Sequence, residues 1–366
     1  MEFLPLSKWI PNLKKPLVIA GPCSAESEEQ VLQTALELKQ IEDVRIFRAG
    51  IWKPRTRPGT FEGMGEKALP WLQLAKKETG LLTSVEVATA HHVELALKYD
   101  VDIFWIGART SANPFAVQEI ADSLKGTNVP VMVKNPINAD LSLWAGAIER
   151  ISGAGIKKIA AIHRGFSTYE QTRYRNRPIW RIPIALKDRL KDIPMICDPS
   201  HIGGARSLIA EISQKAMDID MDGLMIETHI NPSIAMSDAK QQVTPASLYK
   251  ILKGLNLRSE YSSNRGFEEE IDRLRSQIDN VDKEILEFLK IRMGIVEKIG
   301  EAKSKNDVTP LQINRMNEMM QKRLDIAVKL ELPEVYVKEL YDIIHAESVK
   351  KQTAIMNTFT SSEVKE

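Results

Sequence analysis

Cysteine is scarce in this chain of 366 residues. Two are too few for a disulfide framework, so an apolar core rather than covalent staples must hold the fold. Neither charge is in excess: 50 Lys and Arg face 49 Asp and Glu, and a net charge of +1 gives no field for nucleic acid. No apolar run approaches the ~20 residues that a membrane helix needs. The first residues, MEFLPLSKWIPNLKK, lack the basic-then-apolar order of a secretory signal. Internal repeats are missing, and only the tail TSSEVKE is polar enough to be expected to fray. What remains is ordinary globular composition, 43% apolar and 27% charged, in about two domains' length. The expectation is a soluble, cytoplasmic protein without nucleic-acid or membrane partners.

Short β-branched runs recur through the first two-thirds, each followed by an amphipathic segment of helical length. Strands are expected near Leu17–Ala20, Val44–Arg48, Leu81–Val87, Asp102–Gly107, Pro130–Lys134, Lys157–His163, Pro194–Cys197 and Gly223–Glu227. Eight such alternations close a (β/α)8 barrel. An open doubly wound sheet competes, but its G-x-G-x-x-G fingerprint does not follow the first strand. One interval, TYEQTRYRNRPIWRIP, is poor in helical pattern. The expected layout is a barrel over 1–253, a polar linker over 254–266 (GLNLRSEYSSNRG) and a helical domain over 267–366.

A barrel builds its active site at the C-terminal ends of its strands. Almost every expected strand delivers a charged or metal-competent side chain there: Cys23; Arg48 with Lys53, Arg55 and Thr56; Glu86; Arg109; Lys134; Arg164; Asp198, Ser200 and His201; Glu227, with Asp238 beyond. Cys23, His201, Glu227 and Asp238 form a mixed soft and hard donor set suited to Mn, Fe, Co or Zn. Arg48, Lys53, Arg55, Arg109, Lys134 and Arg164 are six cations on one rim. Like charges repel and desolvation is costly, so the cluster calls for small polyanionic substrates, phosphates foremost. Cys197 lies within an apolar strand and reads as structural. His91, His92, His163, His229 and His345 are assigned structural or solvent roles.

GPCSAES, KPRT, GAR, the Lys134 strand, HRG, DPSH and GLMIETH, in that order, resemble 3-deoxy-D-arabino-heptulosonate-7-phosphate (DAHP) synthase over about Leu17–Pro245. The related octulosonate-phosphate synthase usually has Asn-Arg-Thr where this chain reads Lys53-Pro54-Arg55-Thr56, and the short N-terminus resembles the compact Iβ subtype. The resemblance implies that Cys23, His201, Glu227 and Asp238 hold the divalent metal. It further implies that Arg48, Lys53, Ala108 (by its backbone), Arg109, Lys134 and Arg164 bind phosphoenolpyruvate, and that Arg55 and Thr56 bind the phosphate of erythrose 4-phosphate. Lys53 and Glu86 are both open as the group that handles the water proton.

Past the linker the β-branched runs give way to Ile271, Leu274, Ile278, Val281, Ile285, Phe288, Arg292, Ile295 and Ile299, spaced by three and four. That is an a/d stripe on a helix of roughly 50 Å for about 35 residues. Two shorter helices are expected, from about Thr309 to Leu330 and from about Glu334 to Gln352, with Pro310 and Pro333 in first turns. They cannot cover the stripe alone, so a helical dimer is expected. Arg292 on the stripe needs an anion, an interhelical acid or contact with water.

Glu268–Gln352, with LRSQIDNVD, one late Arg in the first helix, GEAK and ESVKKQ, resembles an AroQ-type chorismate mutase. The resemblance implies that Arg275 (reaching in from the partner subunit), Arg292, Lys303, Arg315, Ser348 and Gln352 bind chorismate, with Lys303 and Gln352 at the breaking ether oxygen. Many relatives carry acids where this chain has Gln312 and Met316. The expectation is a bifunctional enzyme whose helical domain also regulates the barrel. A helical domain that senses chorismate or prephenate without turnover is the rival, and isochorismate-pyruvate lyase chemistry stays open through Met316.

Overall fold

In this computed structural model the described residues are 1–53, 59–169, 172–258 and 264–363, with backbone only at 265 and 358–363. The chain divides into two compact units, Met1–Glu260 and Tyr261–Glu366. The first is a closed parallel barrel of eight strands: β1 (Leu17–Gly21), β2 (Val44–Arg48), β3 (Leu82–Val87), β4 (Ile103–Ile106), β5 (Val131–Lys134), β6 (Ile159–His163), β7 (Met195–Cys197) and β8 (Gly223–Glu227). β1 pairs with both β2 and β8, which closes the ring.

The helices follow the strands, and those beginning at Glu28, Ala90, Pro114, Leu141, Pro199 and Pro245 start on side-chain caps written in the sequence. α1 (Glu28–Lys39) opens on Ser27, whose side chain accepts from the Gln30 amide, with Glu28 and Glu29 in its first turn. α2 (Leu69–Thr79) follows a short 3-10 turn, and α3 (Ala90–Lys98) is capped by Thr89. α4 (Pro114–Leu124) and α5 (Leu141–Gly153) use Asn113 and Asp140. By the interval poor in helical pattern Phe166 bridges Arg177, and the short α6 (Arg181–Arg189) follows. α7 (Pro199–Gly203) is one extra turn carrying His201, and α8 (Arg206–Asp218) and α9 (Pro245–Lys253) complete the ring.

Period-2 alternation sorts the strand residues into two cores. Val18, Ala20, Phe47, Val131 and Val133 face outward and pack with helix residues such as Val31, Ala35 and Leu38. Leu17, Ile19, Ile46, Trp105, Met132, Ile162, Ile196 and Met225 fill the interior, and Leu6, Trp9 and Ile10 join that inner cluster. Two residues beyond an inward position the next side chain faces inward again. Arg48, Lys134, Arg164, Asp198 and Glu227 stand two after Ile46, Met132, Ile162, Ile196 and Met225. The parity of the apolar core thus aims the charges into the barrel mouth.

Among the described residues the second unit has three helices: α10 (Arg265–Ser304), α11 (Ile313–Lys329) and α12 (Glu334–Glu363). α10 has 40 residues, about 60 Å. α11 starts later than expected, so Pro310 lies in the connection, where Lys303 Nζ donates to its carbonyl at 2.7 Å. α12 runs on to Glu363 because no glycine or proline stops it after Gln352. Along α10 the stripe is open in the single chain: Ile278, Ile285 and Phe288 are 59%, 50% and 68% exposed.

Ile19 has no exposed surface and sits inside the barrel. Ile19→Ala should destabilise the barrel by about 2–5 kcal/mol, read as a lower midpoint in urea, whereas Leu97→Ala on exposed α3 should shift it little. Equal shifts would contradict this placement of the core.

Candidate active site

The barrel mouth holds a cavity of about 480 Å³ whose described lining includes Lys53, Glu86, Ala108, Arg109, Lys134, Arg164, Arg175, His201 and Asp238. Five of these carry positive charge against two carboxylates. Burial, with Arg175 and Arg109 nearby, pushes the Arg164 guanidinium down to about 10, although Asp198 opposes the shift. The larger cause is desolvation, which makes a buried guanidinium costly unless it is paired. Arg164 Nη1 donates to Asn176 Oδ1 at 2.8 Å, and its backbone amide donates to Asn135 Oδ1 at 2.7 Å.

At one side of this cavity Cys23 Sγ, Glu227 and Asp238 offer ligand atoms within 4.8 Å of one another. His201 Nδ1 stands 2.8 Å from Asp198 Oδ2, which leaves Nε2 to face Glu227 Oε1 at 3.7 Å. Burial lowers the His201 pKa despite Asp198, and it is the neutral ring that ligates metals. Both carboxylates are anchored through both oxygens, Gln241 Nε2 reaching Asp238 Oδ2 at 3.4 Å as well. Arg48 Nη1 donates to Glu227 Oε1 at 2.9 Å, Gln241 Nε2 to Glu227 Oε2 at 2.7 Å, and Arg175 Nη1 to Asp238 Oδ1 at 3.0 Å. Asp238 Oδ2 is 3.6 Å from Cys23 Sγ. One thiol, one imidazole and two oriented carboxylates fit a borderline-soft divalent ion.

The expected residues divide by position. Lys53, Ala108, Arg109, Lys134 and Arg164 line the cavity; Arg48 does not. It is 2% exposed, bonded to Glu227 and to the Cys23 carbonyl, and lies 4.7 Å from the centre of the Trp105 ring. Arg55 and Thr56 fall outside the described residues. Lys53 Nζ donates to the Cys23 carbonyl at 2.8 Å and lies 3.0 Å from its sulfur. Glu86 accepts from Trp105 Nε1 at 3.1 Å, and a Cβ on Gly107 would stand 2.1 Å from Glu86 Oε1, so glycine leaves that carboxylate its room. Arg175, Asp198 and Gln241 were not given roles by sequence. Asp198 joins Lys134, at 2.8 Å, to His201. The alternating arginines of RYRNRP were the one visible sign of Arg175.

In the helical unit, Arg292 Nη1 donates to Ser348 Oγ at 2.6 Å, and Ser348 Oγ donates to the Ile344 carbonyl at 2.6 Å. Gln352 is 7% exposed with no partner for Oε1 among the described residues. α10 and α12 approach closely there, since a Cβ on Gly300 would lie 3.2 Å from Gln352 Cα. Arg275 pairs locally with Asp272 at 3.3 Å and Arg315 with Glu318 at 3.5 Å, both on the surface of the single chain.

Burial, then Glu227, push the Cys23 thiol up to about 11 against the pull of Lys53, and burial raises Cys197 as well. Neither cysteine should react with a thiol-disulfide reagent at pH 8 in the folded, metal-free protein, and both should react in denaturant. Fast labelling of Cys23 in the native chain would contradict this geometry.

Residues 10–261 match the family described as DAHP synthetase I family, and residues 274–353 match chorismate mutase type II. The chain is 34% identical over 226 residues to phospho-2-dehydro-3-deoxyheptonate aldolase of Thermotoga maritima, covering 62% of this chain and 64% of that protein. It thus spans a little under two thirds of that relative. A 2-dehydro-3-deoxyphosphooctonate aldolase of Variovorax paradoxus is 28% identical over 278 residues, covering 69% and 94%. The crystal structure of the Thermotoga DAHP synthase superposes with a TM-score of 0.58 at 30% identity, covering 64% of this chain and 66% of that one.

Proposed function

Since the chain belongs to the DAHP synthetase I family and joins to that barrel a chorismate mutase type II domain, we propose that it is a bifunctional shikimate-pathway enzyme. The barrel condenses phosphoenolpyruvate with erythrose 4-phosphate to DAHP and phosphate; the helical domain rearranges chorismate to prephenate. The observation that carries the reading is the cavity of about 480 Å³ in which five cations meet two acids beside the Cys23 cluster.

Cys23, His201, Glu227 and Asp238 would hold the divalent ion, which when bound supplies Lewis-acid polarisation of an aldehyde oxygen. The chain's own residues do the positioning. Lys53, Arg109, Lys134 and Arg164 take the phosphate and carboxylate of phosphoenolpyruvate, with the Ala108 backbone beside them. Arg55 and Thr56 take the other substrate's phosphate. Arg48 acts from beneath, fixing Glu227 and the Cys23 carbonyl. Held so, C3 of phosphoenolpyruvate bonds to the aldehyde carbon, water adds at C2, and the C2–O bond breaks to release phosphate. The cations stabilise the charge that moves.

Chorismate rearrangement needs no nucleophile or metal. Arg292, Arg315, Ser348 and the partner subunit's Arg275 hold the dicarboxylate, and Lys303 and Gln352 stabilise the ether oxygen as its bond breaks. Arg275 lies seventeen residues before Arg292, about 25 Å along α10, so it reaches a site only in another copy. The open α10 stripe supports the same dimer, in a cytoplasmic enzyme.

Phosphoenolpyruvate should be consumed only with erythrose 4-phosphate present, and exhaustive chelation should stop turnover until Mn or a similar ion is restored. Undiminished turnover after chelation removes the metal. Chorismate should be turned over, and Lys303→Ala should cost on the order of 10²-fold or more in kcat; wild-type protein that binds prephenate without turnover leaves the sensor reading. Sedimentation at micromolar protein should give at least a dimer; a monomer refutes the shared site. Saturating prephenate should change the synthase rate of the intact chain, and an unchanged rate ends the regulatory reading.

A further inference from the structure

The helical unit holds a ring that the sequence assigned no chemistry. His345 on α12 lines a narrow cleft with Arg292 of α10 and Met316, Met319 and Arg323 of α11. Among the described residues no acid lines that cleft. Arg323 lies 4.5 Å from the centre of the Tyr341 ring and donates to the Met319 carbonyl at 2.9 Å; Arg292 is held by Ser348. His345 Nε2 is buried and has no hydrogen-bond partner among the described residues. The cleft's volume is about 10 Å³, room for one oxygen-sized group rather than a whole metabolite. A polar ring set among methionines beside two guanidiniums is costly unless an anion completes it.

We propose that His345 is a ligand-binding residue of the helical site, its Nε2–H donating to a carboxylate oxygen of the bound dianion beside Arg292. This rests on the mutase reading and adds a pH response to it. The charges facing the ring are Arg292 and Lys303 from α10, Arg323 from α11, and Asp342 on its own helix, the one that opposes them. Burial first, then Arg292 and Arg323, lower the His345 pKa, so the ring is neutral in the free protein. A dianion beside it reverses that balance, and the ring takes up a proton. Affinity therefore rises as pH falls through the bound-state pKa and levels off below the free-state one.

The test uses the full-length chain. Prephenate is titrated by calorimetry between pH 6 and 8 in two buffers of different ionisation enthalpy, and chorismate kinetics are measured over the same range for wild type, His345→Leu and His345→Gln. Wild type should take up a proton on binding and show a KM that rises with pH. His345→Leu, which suits the methionine-lined cleft, should bind without proton uptake, with KM raised roughly tenfold at pH 6, flat in pH, and kcat within about threefold. His345→Gln should recover part of the affinity and none of the pH response. Chorismate turnover with wild-type KM and proton uptake in His345→Leu overturns this inference alone. A wild-type chain that neither turns over chorismate nor binds prephenate overturns the mutase reading, and this inference with it.

Discussion

A side chain two residues beyond an inward-facing apolar position of a β-strand must face inward as well, and this barrel turns that constraint into a binding site. Ile46, Met132, Ile162, Ile196 and Met225 belong to the packed interior; Arg48, Lys134, Arg164, Asp198 and Glu227 follow at the same parity. Moving the charges elsewhere would mean moving the core. Three of the cations are neutralised within the chain, Arg48 by Glu227 at 2.9 Å, Lys134 by Asp198 at 2.8 Å and Arg175 by Asp238 at 3.0 Å. With Lys53, Arg109 and Arg164 also at the cavity, the cations still outnumber the acids. A partly desolvated cavity of that kind is completed by anions, which the phosphorylated substrates of the proposed reaction would supply.

The paired acids have a second consequence. Asp198 and Glu227 are held well below the usual carboxylate range, Glu227 at about 2, because His201 with Lys134 and Arg48 outweighs the cost of burial. Both stay ionised at neutral pH. One stands beside His201 Nδ1, and the other is gripped by Arg48 and Gln241. The helical unit uses a different logic. Its site lies where Gly300 lets α10 and α12 approach, and Arg292 is held by a neutral hydroxyl rather than an acid. One site is therefore largely preformed by internal ion pairs, while the other leaves its positive charge for the ligand.

Strands were legible because β-branched runs buried on both faces leave few alternatives, and observed bounds such as Val44–Arg48 and Gly223–Glu227 coincide with the runs. The rim residues were legible through the same alternation. Which opposite charges meet was not: Arg48 and Glu227 are 179 residues apart, and only closure of the ring makes them neighbours. Hence Arg48 is buried against Glu227 rather than lining the cavity, and Arg175 was hidden in a stretch without periodicity. α7 is too short to leave a pattern, and α12 passed its expected end because a polar tail without glycine or proline does not stop a helix. His345 was passed over because one histidine on a helix says nothing about the guanidiniums that face it from two others.

The central claim is that the barrel mouth carries positive charge its own acids leave unbalanced. Calorimetric titration of phosphoenolpyruvate into the full-length chain at two salt concentrations tests it most directly. The account predicts one saturable site per barrel, weaker at higher salt and lost in Arg164→Ala. Absence of binding, or binding indifferent to both salt and Arg164→Ala, would mean that those cations are already satisfied within the chain, and would contradict it.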